Sequence, residues 1–507
     1  MNTAHMRTLL FSDTGILIFL ALAKLIFHIL TNGAYGFHRD ELATLDDARY
    51  LAWGYVAYPP VTPFIARVAL ELFGASLVGF RFFAALAQSI AIVLAGLIAR
   101  ELGGKRHAQL LAAVAVAIAP VSLGSSALMQ YVAFDYLWWV LIAYLMIRLL
   151  KSDDPRWWLG IGAVIGIGMM TKYAMAFYVA GIVAGVLLTP TRRHLTSAWL
   201  WGGVALSFLI FLPNLVWQLQ HDFISLDFLN SIHARDIQIG RTAGFLTDQL
   251  DTSANPVTLP LWIAGLAFYF WSASGARFRM IGWMALVTFA LFWLAQGRGY
   301  YTAPLYPMLL AAGAVVLERW FASMSRARAR VATGLAWSML IIGGIVFALF
   351  ALPIVPINSA LWQIVNDNNV DFRDEIGWEE LTQTVAQIYH ALPANDKARA
   401  GIFAGNYGEA GALNLYGGAF GLPRAISGIN SYWLRGYGDP PPEPVIIVGA
   451  PSAEYLSPLF ESCALAGHIT NKYDVINEET RDHPYIFVCR RPKQPWDEFW
   501  KQFRYFG

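Results

Sequence analysis

An aspartate–glutamate pair, Asp40 and Glu41, sits in the stretch GFHRDELATLDDARYLAWGYVAYPP at residues 36–60, directly after an apolar run. Two kinds of role suit such a pair. Acids at a helix start are welcomed by unpaired backbone N–H groups. A carboxylate held at a lipid surface can instead take a proton from a hydroxyl or bind a metal ion. On residue types alone both readings stay open for Asp40 and Glu41. Other charges fall at a similar depth. Asp135 stands at the start of an apolar segment in QYVAFDYLWW, Lys172 lies between two apolar segments in GMMTKYAMAF, and Arg298 precedes Tyr300 and Tyr301 in QGRGYYTAPLYP. Each has an ordinary account: a helix cap for Asp135, snorkelling for Lys172, interfacial anchoring for the tyrosines. As a set they suit one substrate. Cations match a lipid phosphate, acids match a hydroxyl, and aromatics such as Tyr58 of AYPP match a prenyl chain or a sugar face. A cavity for a lipid-linked phosphate explains the layer better than four accidents. Asp40, Glu41, Asp135 and His221 or Asp222 could also supply ligands to a divalent ion. No compact ligand motif is present, and no metal or other cofactor is expected.

These residues need a scaffold in the membrane. The chain has 507 residues, of which 57% are hydrophobic and 14% charged, against about a quarter charged in soluble domains. Apolar runs recur from Ile16 to Phe350. They predict about eleven spans, near 13–32, 80–99, 108–127, 132–150, 157–171, 173–189, 198–218, 257–273, 280–295, 301–318 and 331–352. The linkers RELGGKRH (100–107), TRRH (191–194), SGARFR (274–279) and RWFASMSRARAR (319–330) are basic. Basic short loops face the cytoplasm, and each of these is separated from the next by an even number of spans. The charge-neutral KSDDPR linker at 151–156 falls inside by parity. The N-terminus is then cytoplasmic, and 33–79, 219–256, 296–300 and everything after about residue 353 lie outside. The first apolar segment lacks a small-residue cleavage pattern and reads as a retained span. The net charge of +2 gives no reason to propose nucleic-acid binding.

The outer segments divide into three. In 33–79, RDELATLDDARYLAWG has helical spacing and YPP breaks it, while TPFIARVALELFG at 62–74 suits a helix lying in the membrane surface. The 219–256 loop is long and of mixed polarity, without a long regular element, as lids and binding surfaces often are. From 354 to 507 the composition changes. A helical stretch in GWEELTQTVAQIYHALP is followed by ARAGIFAG, PVIIVGAP and PYIFVCR, which read as strands, with GNYGEAGALNLYGG between strand and helix. A compact outer α/β domain is expected after a membrane part spanning 1–353. Its two cysteines, Cys463 and Cys489, are the only ones in the chain, and an oxidising compartment favours pairing them. The tail reads either as a lid over the outer loops or as an acceptor-recognition surface, with Tyr407, Glu409, Tyr432 and Trp433 as candidates.

The string RDELATLDDARYLAWGYVAYPPVTPFIAR resembles the first outer loop of bacterial glycosyltransferase family 39, relatives of the protein O-mannosyltransferases and of the lipid A aminoarabinose transferase. The resemblance continues through TKYAMAFYVAG, FLPNLVWQLQHDF and GRGYYTAPLYPMLLAAGA into GNYGEAGALNLYG, LPRAISGINSYWLRGYG and FVCR, nearly the whole chain. It implies a GT-C fold in the bacterial inner membrane and transfer of a sugar from a polyprenyl phosphate on the periplasmic side. The acceptor would be a hydroxyl of an envelope glycan, lipid or protein. Carried over by position, the family's acidic pair falls on Asp40, the base, and Glu41, and a looser match puts a second acidic position at Asp135. Lys172 and Arg298 fall where relatives have donor-phosphate contacts. Position 298 is often lysine in similar proteins, and arginine offers a rigid fork in its place. The implied reaction is a single inverting displacement, with Asp40 taking the acceptor's proton and Lys172 and Arg298, helped by Arg39, stabilising the leaving phosphate. A transporter or flippase would explain the spans but would have little use for the tail. A non-catalytic assembly scaffold is the other alternative.

Overall fold

The computed structural model describes residues 12–507; the first eleven residues, expected on the cytoplasmic side, lie outside the described residues. The membrane part opens with α1 (Asp13–Thr31), then α2 (Arg39–Arg49) and α3 (Val61–Phe73) in the first outer loop. It continues through α4 (Leu77–Glu101), α5 (Arg106–Ala117), α6 (Pro120–Ser126), α7 (Tyr131–Ser152), α8 (Trp157–Met169), α9 (Met175–Leu187) and α10 (Ala198–Gln220). After α11 (Ile224–Gln238) come α12 (Leu259–Trp271), α13 (Arg279–Leu294), α14 (Tyr306–Ala322) and α15 (Arg326–Ala351).

All eleven apolar segments are helical, but not all are single straight spans. Among the described residues seven helices are long and apolar enough to cross a membrane, or nine when two bent pairs count as one span each. The expected 108–127 span is broken where α5 meets α6 at 64°, and α9 turns by 102° into a short 3-10 segment at Pro190–Thr196. Proline at the first position of each second piece explains the breaks, since it has no N–H to continue the ladder. The break is bridged by Lys24 of α1, which reaches a carbonyl on each side of it. Its Nζ donates to Ser122 O at 3.2 Å, to Ser122 Oγ at 2.7 Å and to Ala117 O at 3.4 Å. Close helix contacts use glycine. A Cβ on Gly162 of α8 would lie 2.1 Å from the Gly203 carbonyl oxygen of α10, so these two helices touch through their backbones.

The 219–256 segment differs from the expected irregular loop, because it contains the fifteen-residue α11. Apolar residues at its start explain this: Ile224 packs with Val56 and Trp217.

Beyond α15 the chain forms α16 (Ala360–Asn368), α17 (Trp378–Ala391), β1 (Gly401–Ala404), α18 (Tyr407–Tyr416), β2 (Ala425–Ile426), α19 (Asn430–Leu434), β3 (Val445–Ala450), β4 (Phe460–His468), β5 (Tyr485–Pro492) and α20 (Trp496–Gln502). The strands form one sheet in the order β2-β1-β3-β5-β4, parallel across the first three and antiparallel at β5 and β4. Central strands β1 and β3 are buried runs of small and branched residues, as parallel strands covered on both faces must be. The edge strand β4 is mostly exposed. Cys463 and Cys489 pair directly across β4 and β5 and are joined as a disulfide.

The tail docks on the first outer loop. Helix α18 lies against α2 closely enough that a Cβ on Gly411 would come within 2.7 Å of the Leu42 backbone. Burial of Leu42, Leu45 and Ala48 with Ala410, Ala412 and Leu413 in one apolar core supplies the driving force.

Candidate active site

Helix α2 begins with a capping box. His38 accepts the Asp40 N–H on Nδ1 at 3.2 Å, and Glu41 Oε2 accepts the His38 N–H at 3.0 Å. The cap sends the two acids in different directions. Glu41 turns inward and has no exposed surface. It accepts Arg81 Nε at 2.9 Å and Nη2 at 2.6 Å, and also the Met129 N–H at 2.8 Å. Arg81 spends its remaining donors on the carbonyls of Asn32 and Gly36. Arg81 takes up the charge of Glu41, and Glu41, expected among the catalytic acids, does not line the chamber.

Asp40 faces the other way, with its side chain 42% exposed. It opens on a chamber of about 2150 Å³ enclosed by the membrane helices, α11 and the tail. Gln130 Nε2 donates to Oδ2 at 2.6 Å and the Tyr407 hydroxyl donates to Oδ1 at 2.8 Å. Both Gln130, the residue before α7, and Tyr407, the first residue of α18, line the same chamber. His38 Nδ1 lies 4.0 Å from Oδ2. Burial disfavours the His38 imidazolium, but Asp40, Asp371, Asp374 and Glu375 outweigh it and raise the histidine above its ordinary value.

Lys172 and Arg298 line the chamber with Asp40. Lys172 occupies the break between α8 and α9, where Gly168 caps the first helix by accepting the Lys172 N–H at 2.9 Å. Its Nζ lies 3.9 Å from the Tyr301 ring centre, 5.0 Å from Tyr131 and 5.4 Å from Tyr300. Those rings stabilise an ammonium without neutralising it. Arg298 differs from the open phosphate ligand expected. Its fork is bidentate on Asp236 of α11, at 2.6 Å and 2.9 Å. Arg39 also lines the chamber, paired with Glu478 and stacked 4.9 Å over the Tyr407 ring. Tyr58 lines it as well, and donates to Asp47 Oδ2 at 2.6 Å. Burial, opposed by Arg435, lifts Asp47 to about 6.

Other expected site residues are placed elsewhere. Asp135 is buried one turn into α7 and accepts Trp139 Nε1 at 2.9 Å. It is near enough to Lys172 for their charges to interact, without lining the chamber. His221 stacks on Trp217 at 4.0 Å and donates Nδ1–H to that residue's carbonyl at 2.8 Å. In the tail, Glu409 is the capping-box partner of Asn406 and is fully buried. Trp433 exchanges indole-to-carbonyl hydrogen bonds with Trp500, both at 3.1 Å. Neither lines the chamber, where acceptor-facing groups were expected. Tyr432 does reach the chamber wall. Asp40, Glu41, Asp135, His221 and Asp222 are not drawn together as metal ligands: among the described residues no three His, Cys, Asp or Glu side chains form such a group.

Several chamber residues carry no signal of their own in the sequence. Gln130 and Tyr131 stand at the start of α7. Arg235 and Asp236 belong to the stretch read as an irregular loop, and Arg235 has a buried Nε without a hydrogen-bond partner on the chamber wall. Helical spacing in ISLDFLNSIHARDIQ would have placed both on one element.

The sequence profile of the dolichyl-phosphate-mannose-protein mannosyltransferase family matches residues 57–217. The lipid A galacturonosyltransferase RgtD of Rhizobium johnstonii is 27% identical over 190 residues, a match covering 35% of this chain and 39% of that protein's length. Crystal structures of ArnT from Cupriavidus metallidurans superpose at a TM-score of 0.56 over 94% of this chain and 97% of theirs. Identity is 15% for the form bound to undecaprenyl phosphate and 17% for the apo form. The Archaeoglobus fulgidus oligosaccharyltransferase, tethered to an acceptor peptide, gives 0.52 at 13% identity over 78% of this chain and 63% of that one. The chain thus shares the fold of those ArnT structures: a polytopic α-helical membrane part, with seven to nine candidate spans among the described residues, and a C-terminal domain built on a β-sheet.

Proposed function

We propose that this protein is an inverting glycosyltransferase that moves a sugar from a polyprenyl-phosphate donor to a hydroxyl acceptor at the periplasmic face of a bacterial inner membrane. The observation that carries the reading is the chamber itself. A half-exposed carboxylate, Asp40, and an ammonium held by aromatic rings, Lys172, line one cavity between membrane helices and an outer domain. The reading takes the two shorter apolar helices, α8 and α12, as spans beside the longer ones. That gives eleven crossings and leaves the tail outside.

In the reaction the acceptor oxygen attacks the anomeric carbon while Asp40 accepts its proton. The bond from that carbon to the phosphate oxygen breaks, and the lipid phosphate leaves with the electron pair. Lys172 meets the charge that grows on it, and a fixed cation in a site shielded from water is worth more there than in solvent. Arg298 contributes through a fork already shared with Asp236, so its share of that stabilisation is reduced. Arg235, with its unpartnered Nε, adds positive charge to the same wall. Phosphate is an adequate leaving group, so no strong general acid is needed.

The likeness to RgtD puts a galacturonic acid donor and a lipid A acceptor at the head of the substrates to test. Purified protein incubated with a panel of undecaprenyl-phosphate sugars and lipid A is expected to release undecaprenyl phosphate, detected by mass spectrometry. Asp40→Asn should abolish release while undecaprenyl phosphate still binds. Transport of the intact lipid-linked sugar without cleavage, or release unaffected by Asp40→Asn, would refute the reading.

A further inference from the structure

Both oxygens of Asp40 are engaged by donors from opposite parts of the molecule. Gln130 reaches Oδ2 from the membrane part, and Tyr407 reaches Oδ1 from the tail. Neither donor is loosely held. Gln130 follows Met129, whose N–H is fixed on buried Glu41 at 2.8 Å. Tyr407 follows Asn406, the N-cap of α18, and its ring lies under the Arg39 guanidinium, itself paired with Glu478. We propose that Tyr407 and Gln130 are positioning residues for Asp40, and that docking of the tail on α2 completes the base. The inference rests on the transferase reading above.

The physical reason has two parts. A donated hydrogen bond favours the ionised over the protonated form of a carboxylate. Each carboxylate oxygen also has two acceptor positions, so two fixed donors decide which positions stay open toward the chamber and the incoming hydroxyl. Hydrogen bonds of 2.6 Å and 2.8 Å are in the range of charge-assisted contacts. Tyr407 thereby has a different task from the acceptor recognition expected of it. Its hydroxyl is occupied by the base, and a domain that could have been only a lid supplies half of the base's immediate environment. The other titratable or charged groups around Asp40 are His38 and Arg39 on its own helix, Tyr131 on α7, and Asp371 and Asp374 before α17, which act through His38 and Tyr407.

The test needs no substrate. Infrared difference spectra of the full-length, detergent-solubilised protein, with the Asp40 carboxylate bands assigned through Asp40→Asn, report how its two oxygens are hydrogen-bonded. Tyr407→Phe and Gln130→Met are each expected to shift the Asp40 carboxylate stretching bands, because each removes one donor from one oxygen. In a transfer assay each should lower kcat roughly tenfold, the size of one hydrogen bond to a charged group, with a smaller effect on KM. Unshifted carboxylate bands in Tyr407→Phe, with or without lost activity, would assign Tyr407 to docking alone and overturn the proposal. Gln130→Met supplies the same comparison if Tyr407→Phe does not fold. Failure of the wild-type protein to transfer sugar from any lipid-linked donor would instead sink the transferase reading and leave the infrared result standing, so the two failures are distinguishable.

Discussion

Arg81 and Glu41 form an ion pair in which neither side chain has any solvent exposure, tying α4 to the first turn of the helix that carries Asp40. Glu375 joins from the tail side at 3.4 Å. Removing one partner of such a pair leaves an uncompensated buried charge, at a cost of about 3–5 kcal/mol. Glu41→Ala should therefore lower the thermal unfolding temperature of the purified protein sharply, and Glu41→Gln less so. If Glu41 took part in chemistry instead, Glu41→Gln would lose turnover with its unfolding temperature unchanged.

Lys172 is a chamber cation set among three aromatic rings, with Asp135 near enough for their charges to interact. Under the proposed function its partner is the lipid phosphate. Lys172→Met should weaken binding of undecaprenyl phosphate roughly ten- to hundredfold, the worth of one hydrogen bond to a charged group. Lys172→Arg should recover part of it, since arginine keeps the charge but not the compact geometry. Titration of the detergent-solubilised variants with the lipid measures both. Equal affinities across the series would remove Lys172 from the phosphate site.

What could be read in the sequence and what could not follows from distance along the chain. Asp40 announces itself by being an acid at a helix start beside a membrane span, and Lys172 by being an ammonium between apolar runs. Their partners carry no such mark. Gln130 lies 90 residues from Asp40 and Tyr407 lies 367 away, and only the packing of α18 on α2 brings the second contact about. Glu41 could not be told from Asp40 by type, because Arg81, the residue that consumes its charge, lies 40 residues away at the start of an expected span. The fold follows the same rule. Apolar runs mark all eleven helical segments, yet they cannot show the break at Pro120, where the expected 108–127 span bends, nor the turn at Pro190 just beyond the expected 173–189 span. Strand β4 escapes because it is an exposed edge, FESCALAGH, with no buried face to impose alternation.

That edge strand is held to β5 by its ladder and by the Cys463–Cys489 bridge, which closes a separation of 26 residues. A loop of that size is worth about 3 kcal/mol through the unfolded state. The double variant Cys463→Ala/Cys489→Ala should lower the unfolding temperature of the tail and expose β4 to proteolysis before the membrane helices open. Limited digestion followed by mass spectrometry locates the first cut. A first cut in the 219–256 segment, with the tail intact, would contradict this order.

The tail also carries an acid pair whose titration sets its stability. Glu409 Oε2 accepts the N–H groups of Gly405 at 2.8 Å and Asn406 at 3.2 Å, while buried Oε1 makes no hydrogen bond. Burial first, then the charge of Glu479, pushes Glu409 up from 4.5 to about 8, and burial pushes Glu479 up to about 7. The unfolded chain releases these protons near the ordinary glutamate value, whereas the folded tail keeps them. Over that interval the folded state binds more protons, so its stability falls as pH rises. The contribution is complete below about 4.5 and is lost as pH climbs through 7 to 8. The tail should therefore unfold at a lower temperature at pH 9 than at pH 6. Glu409→Gln, neutral throughout and still able to accept the two N–H groups, should flatten that dependence. Calorimetry of wild type and variant at stepped pH reads both slopes. Two identical slopes would mean that Glu409 is already ionised in the folded tail.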